Sequence, residues 1–173
     1  GDSIGASSLI SLTLADYSFI GQDANDYFGT DVAGQGDIDA DGYDDIIVGA
    51  PNWSSEHGKA YVFLSGDLAA VTDASVADYS YWGQSSNDYG GVSVALADLH
   101  GDGQASVLVG ANHEDACGGN DGAFFWMLPL AGSNVLPSAG QTFCTSLASD
   151  GLLGTSLAVV GDVDGNGRQD VLV

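Results

Sequence analysis

The feature that most constrains this 173-residue chain is that it repeats itself at an interval of about 62 residues. Asp26-Tyr27-Phe28-Gly29-Thr30-Asp31-Val32-Ala33 returns as Asp88-Tyr89-Gly90-Gly91-Val92-Ser93-Val94-Ala95, and more loosely as Gly151-Leu152-Leu153-Gly154-Thr155-Ser156-Leu157-Ala158. An Asp-rich stretch follows each copy. Then comes Ile46-Ile47-Val48-Gly49-Ala50-Pro51 or Val107-Leu108-Val109-Gly110-Ala111-Asn112, and after it Gly58-Lys59-Ala60-Tyr61-Val62-Phe63-Leu64 or Gly122-Ala123-Phe124-Phe125-Trp126-Met127-Leu128. A fourth segment, Ala15 to Gln22, reappears as Ala77 to Gln84.

Each unit therefore holds about four short β-branched or aromatic runs separated by turn residues, which read as strands. Runs such as Ala60 to Leu64 are apolar at every position, which predicts burial on both faces. Four-stranded antiparallel sheets stacked radially provide that burial, so the predicted fold is all-β, built of β-propeller blades. No helical periodicity competes, and Leu68 to Ala77 reads as a small-residue linker. The expected units are an outer strand and linker of a preceding blade at 1–27, blades at 28–89 and 90–153, and the first half of a blade at 154–173. That makes about 2.75 blades where closed propellers have four to eight. The expectation is a piece of a longer chain, or a subunit whose open blades a neighbour completes.

The Asp-rich stretches carry the clearest chemistry. Asp37-Ile38-Asp39-Ala40-Asp41-Gly42-Tyr43-Asp44-Asp45 and Asp162-Val163-Asp164-Gly165-Asn166-Gly167-Arg168-Gln169-Asp170 place oxygen side chains at positions 1, 3, 5 and 9 around a glycine at position 6. Alternate residues of a tight turn point their oxygens inward, position 7 adds a backbone carbonyl, and the arrangement suits calcium. An EF-hand is excluded: position 12 is Val48 or Val173 rather than Glu, and strands rather than helices follow. A solvated Asp-Gly turn explains one such loop but explains two with matching spacing less well. The middle stretch, Asp98-Leu99-His100-Gly101-Asp102-Gly103-Gln104-Ala105-Ser106, has lost two carboxylates to His100 and Ser106 and is expected to be an empty or very weak site whose turn Gly103 keeps.

Phe28-Gly29, then Asp37-x-Asp39-x-Asp41-Gly42-x-x-Asp45, then Gly49-Ala50-Pro51, resembles the FG-GAP repeat of integrin α-subunit propellers and of many bacterial secreted proteins. The resemblance covers nearly the whole chain. It implies that each loop joins the first two strands of a blade and binds calcium. The implied ligands are Asp37, Asp39, Asp41, Asp45 and the Tyr43 carbonyl, and Asp162, Asp164, Asn166, Asp170 and the Arg168 carbonyl. It also implies a ligand-contacting face opposite the calcium loops, here Pro51 to His57 and Asn112 to Asp121. Trp53, His57, His113 and Glu114 are the candidates there, although Trp53 reads equally as packing between blades and the rest as ordinary loop residues.

Formal net charge is −22, with Lys59 and Arg168 the only basic residues besides histidine. That leaves no cationic surface for phosphate, which argues against nucleic-acid binding and attachment to anionic membranes. The absence of a long apolar run argues against membrane insertion. The acidity also suits solubility or a salty medium. Cys117 and Cys144 either form a disulfide, in keeping with the secreted or cell-surface location expected of millimolar-calcium loops, or remain free thiols. No metalloprotease, serine-hydrolase or P-loop motif is present, so an enzyme is not expected. If the chain is a fragment, a catalytic part elsewhere stays open. The resulting expectation is a calcium-stabilised extracellular propeller segment that recognises a protein or glycan in adhesion. The alternative is a structural subunit that completes its blades with further copies of itself in a fibre or ring.

Overall fold

The computed structural model describes residues 15–115, 118, 121–128, 132–144 and 151–173. The repeat resolves into sheets. Strands β2 (Val32–Ala33), β3 (Ile46–Ala50), β4 (Lys59–Phe63) and β6 (Tyr79–Trp82) form one antiparallel succession. β7 (Ser93–Ala97), β8 (Ser106–Ala111), β9 (Ala123–Met127) and β11 (Gln141–Cys144) form the next. β12 (Ala158–Gly161) and β13 (Asp170–Leu172) begin a third with the same antiparallel sense. These are the blades of an incomplete β-propeller.

The apolar strands β3, β4, β7 and β8 are buried on both faces, because their two sheets are sandwiched, whereas β12 and β13 of the third are covered on one side only. Ile47, Ala60, Val62 and Tyr81 of the first sheet share a core with Val94, Leu96, Val107, Val109 and Phe125 of the second. The residues that alternate with them, Val48, Tyr61 and Phe63, pack on the opposite side with Phe19 and Phe28. Ala95, Ala97 and Leu108 of the second sheet meet Leu157, Val159 and Val171 of the third. Period-2 alternation thus serves two seams at once.

Two glycine pairs explain the most regular part of the repeat. A Cβ on Gly49 would lie 1.9 Å from the Gly91 carbonyl oxygen, and one on Gly110 would lie 2.0 Å from that of Gly154. Neighbouring blades touch there backbone to backbone, and no side chain fits between. Gly91 and Gly154 also have φ of +84° and +85°, which bends the chain into the first strand of each blade.

The reading of Leu68 to Ala77 as linker is corrected. It contains β5 (Val71–Asp73), which pairs in parallel with β1 (Ser18–Ile20). The equivalent connection in the next unit contains β10 (Gly132–Val135), which pairs in parallel with β6 and makes the first sheet five-stranded. Each connection therefore clasps the outer strand of the unit before it. A short helical turn follows each clasp, at Ala74–Val76 and Leu136–Ala139, and buries Ala74 and Leu136. The strand registers also place Cys144 at the position in its blade that Trp82 holds in the one before.

Candidate metal centres and the opposite face

Both complete Asp loops join the first two strands of a blade, between β2 and β3 and between β12 and β13. Five of their hydrogen bonds recur at matching positions, and the last loop adds one from the Gly165 amide to Asp162 (2.7 Å). Asp37 accepts from the amides of Asp41 (3.1 Å) and Gly42 (2.8 Å), and Asp162 from those of Asn166 (3.0 Å) and Gly167 (2.8 Å). Asp39 accepts from Asp41 as Asp164 does from Asn166, and Asp41 accepts from Tyr43 as Asn166 does from Arg168. The closing residues reach back seven positions, Asp45 to the Ile38 amide (2.7 Å) and Asp170 to that of Val163 (2.8 Å).

This geometry draws carboxylate oxygens of Asp37, Asp39 and Asp45 within 4.8 Å of one another, and likewise those of Asp162, Asp164 and Asp170. Asp41 and the non-titrating Asn166 stand beside these triads at position 5. Asp45 is fully buried. Burial pushes its carboxyl up, the amides of Ile38 and Ser65 pull it down, and the negative charges of Asp39 and Asp37 push it up again. Asp162 is exposed; the Gly167 amide, joined by those of Gly165 and Asn166, holds its carboxyl low against the opposing effect of desolvation. Three carboxylates at this spacing, with oxygen as the only donor type, form a set that a hard divalent cation neutralises.

The middle loop closes chiefly on Asp98, with Asp102 accepting from the Gln104 amide (3.1 Å) as Asp41 does from Tyr43. Asp98 Oδ1 accepts from the amides of His100 (3.2 Å), Gly101 (2.7 Å) and Asp102 (3.2 Å), and Oδ2 from Gly103 (2.8 Å). Burial raises this carboxyl, yet the four amides outweigh it and hold Asp98 low. His100 turns away to lie 5.3 Å from the Trp126 ring.

On the opposite face, Trp53 is half-buried against the second core cluster, 6.4 Å from Trp82, with the Lys59 ammonium 4.7 Å from its ring centre. It lines a groove of about 370 Å³ with Asp23, Asp26 and Asn52. His57 Nδ1 donates to the Ser54 carbonyl. His113 lies 5.1 Å from Tyr89 and lines a second groove of about 470 Å³ with Ser85, Asn87 and Asp115.

Glu114 does not sit on the surface as an ordinary loop residue would: it is 2% exposed and hydrogen-bonded to Asp88, also 2% exposed. Asp115 completes a carboxylate cluster with them. Asp88 escaped sequence reading, although its place in the repeat is that of Asp26, which accepts from the Asp23 and Phe28 amides. Cys144 is disulfide-bonded and packs against the first core cluster. Cys117 lies outside the described residues.

The family profile described as FG-GAP repeat matches residues 28–63, the span from Phe28 through the first Asp loop to the end of β4. Residues 28–63 are an FG-GAP repeat. Integrin alpha-4 of Xenopus laevis is 31% identical over 157 residues, covering 88% of this chain and 15% of that protein. Integrin alpha-5 of Xenopus laevis is 27% identical over 153 residues, covering 85% and 13%. Integrin alpha-IIb of Homo sapiens is 29% identical over 153 residues, covering 85% and 14%. The FG-GAP chain thus spans about one seventh of the length of the relatives it matches. Among its described residues no helix is long and apolar enough to cross a membrane.

Proposed function

We propose that this FG-GAP chain is a calcium-stabilised segment of an extracellular β-propeller that acts in adhesion or recognition, with calcium in a structural role. The observation that carries the reading is the match between the two Asp loops, each of which gathers three carboxylates within 4.8 Å. Filling them pins the turn between the first two strands of a blade and cancels the repulsion around Asp45 and Asp170. Asp37, Asp39, Asp41, Asp45 and the Tyr43 carbonyl hold one ion. Asp162, Asp164, Asn166, Asp170 and the Arg168 carbonyl hold the other, and the Asp98 loop holds none. Residues 28–89 and 90–153 are the blade units, a Cys117–Cys144 disulfide ties the second, and the grooves beside Trp53 and His113 receive a protein ligand at the cell surface.

Ligands that bind only the folded state stabilise it by mass action. Melting followed by circular dichroism should therefore shift upward by several degrees on going from chelator to millimolar calcium. Replacing Asp41 or Asp39 with Ala should remove much of that shift. A melting temperature indifferent to calcium would refute the reading.

A further inference from the structure

The Asp loops are joined to one another by a contact that repeats in register. The amide of Ala105, position 8 of the middle loop, donates to the carbonyl of Asp37, position 1 of the first loop (2.7 Å). The amide of Gln169, position 8 of the last loop, donates to the carbonyl of Asp98, position 1 of the middle loop (2.9 Å). A glutamine side chain braces each junction: Gln104 Nε2 donates to the Ile38 carbonyl (2.6 Å), and Gln169 Oε1 accepts from the Asp98 amide (2.7 Å). The second junction is also in tight contact, since a Cβ on Gly101 would lie 2.7 Å from the Gly167 carbonyl oxygen.

We propose that the two calcium loops are coupled through the middle loop, so that filling one raises the affinity of the other. This rests on the calcium reading of the two loops given above. An ion in the last loop fixes Asp170 and with it the adjoining Gln169, whose amide and side chain grip both backbone polar groups of Asp98. Asp98 in turn organises its whole loop through four amides, and that loop presents Gln104 and Ala105 to Ile38 and Asp37. The second ion then meets a loop whose conformational freedom is already spent, which is positive cooperativity by shared ordering. The middle loop, closed by Asp98's own carboxylate, acts as the connecting rod between the sites.

Terbium(III) takes the same oxygen donors as calcium and luminesces when an adjacent tyrosine is excited. Tyr43 stands at position 7 of the first loop, whereas 162–170 contain no aromatic residue. Emission that disappears in a Tyr43→Phe variant therefore reports the first loop alone. Asp164→Ala, an exposed change in the last loop, should move half-saturation of that emission to about 5-fold higher terbium. The Gln104→Ala, Gln169→Ala double variant retains every ion-binding side chain. In that background, where the backbone bonds of the junctions remain but both glutamine braces are gone, Asp164→Ala should move the curve by clearly less than in the parent chain, and an equal shift would overturn the role of the glutamines. An unshifted curve in Asp164→Ala alone overturns the coupling while leaving the calcium sites intact. No Tyr43-dependent emission and no calcium-binding heat in the parent chain overturns the calcium reading, and the coupling with it.

Discussion

Asp88 and Glu114 meet as two buried carboxyl groups joined by a hydrogen bond, an arrangement that requires one of them to keep its proton. Burial pushes Asp88 up. The Ser85 amide, Glu114 and His57 pull it down, and Asp115 pushes it up, leaving it above the ordinary carboxylate value. His113 and Tyr89, whose hydroxyl meets Glu56, flank the same seam. The sign follows from linkage: a carboxyl whose folded pKa exceeds its unfolded one contributes stability below the unfolded value. That contribution is lost as pH rises through the folded value. Asp88→Asn keeps a donor toward Glu114 and cannot ionise. Melting in chelator, followed from pH 4 to pH 8, should therefore fall less with pH in this variant than in the parent chain, and equal slopes would refute the shared proton. The pair was hidden from sequence reading for a physical reason. Asp88 reads as a turn residue and Glu114 as a loop residue, and only the packing of one blade on the next brings them together.

At the scale of strands and loops, much was legible because local spacing determines local geometry. Positions 1, 3, 5 and 9 around a glycine dictate the Asp loops, and unbroken apolar runs dictate doubly buried strands. The clasps β5 and β10 were not legible. Val71-Thr72-Asp73 and Gly132-Ser133-Asn134-Val135 are too short and too dissimilar to register as a repeat, and what they share is a backbone partner. The junctions between loops run largely through amides and carbonyls, which any residue type but proline can supply. The glycine pairs fall between these cases, since their recurrence was visible but their cause, a backbone contact across the seam, was not. Gly110→Ala places a methyl into the Gly154 carbonyl and should cost about 1–3 kcal/mol or more, as overpacking of a rigid contact does. Urea unfolding would measure it, and a cost below about 0.5 kcal/mol would show that the seam yields.

For the molecule as a whole, the seam between the first two blades combines a large apolar core, the clasp and the chain of loops. Leu136 belongs in sequence to the second unit, yet it is fully buried in the core shared with the first. Leu136→Ala should lower stability by about 2–5 kcal/mol while leaving terbium binding at Tyr43 unchanged. Loss of both together would mean that the seam and the loops are one cooperative element. The clasp also bears on how such a chain is inherited. Each of the two full units carries both an outer strand and a connection that holds the outer strand of its predecessor. Duplication or deletion of a whole unit therefore leaves each strand with a matching holder, whereas a crossover between β9 and β11 would sever donor from acceptor. Blade number can change by whole repeats because the joint is copied along with the part.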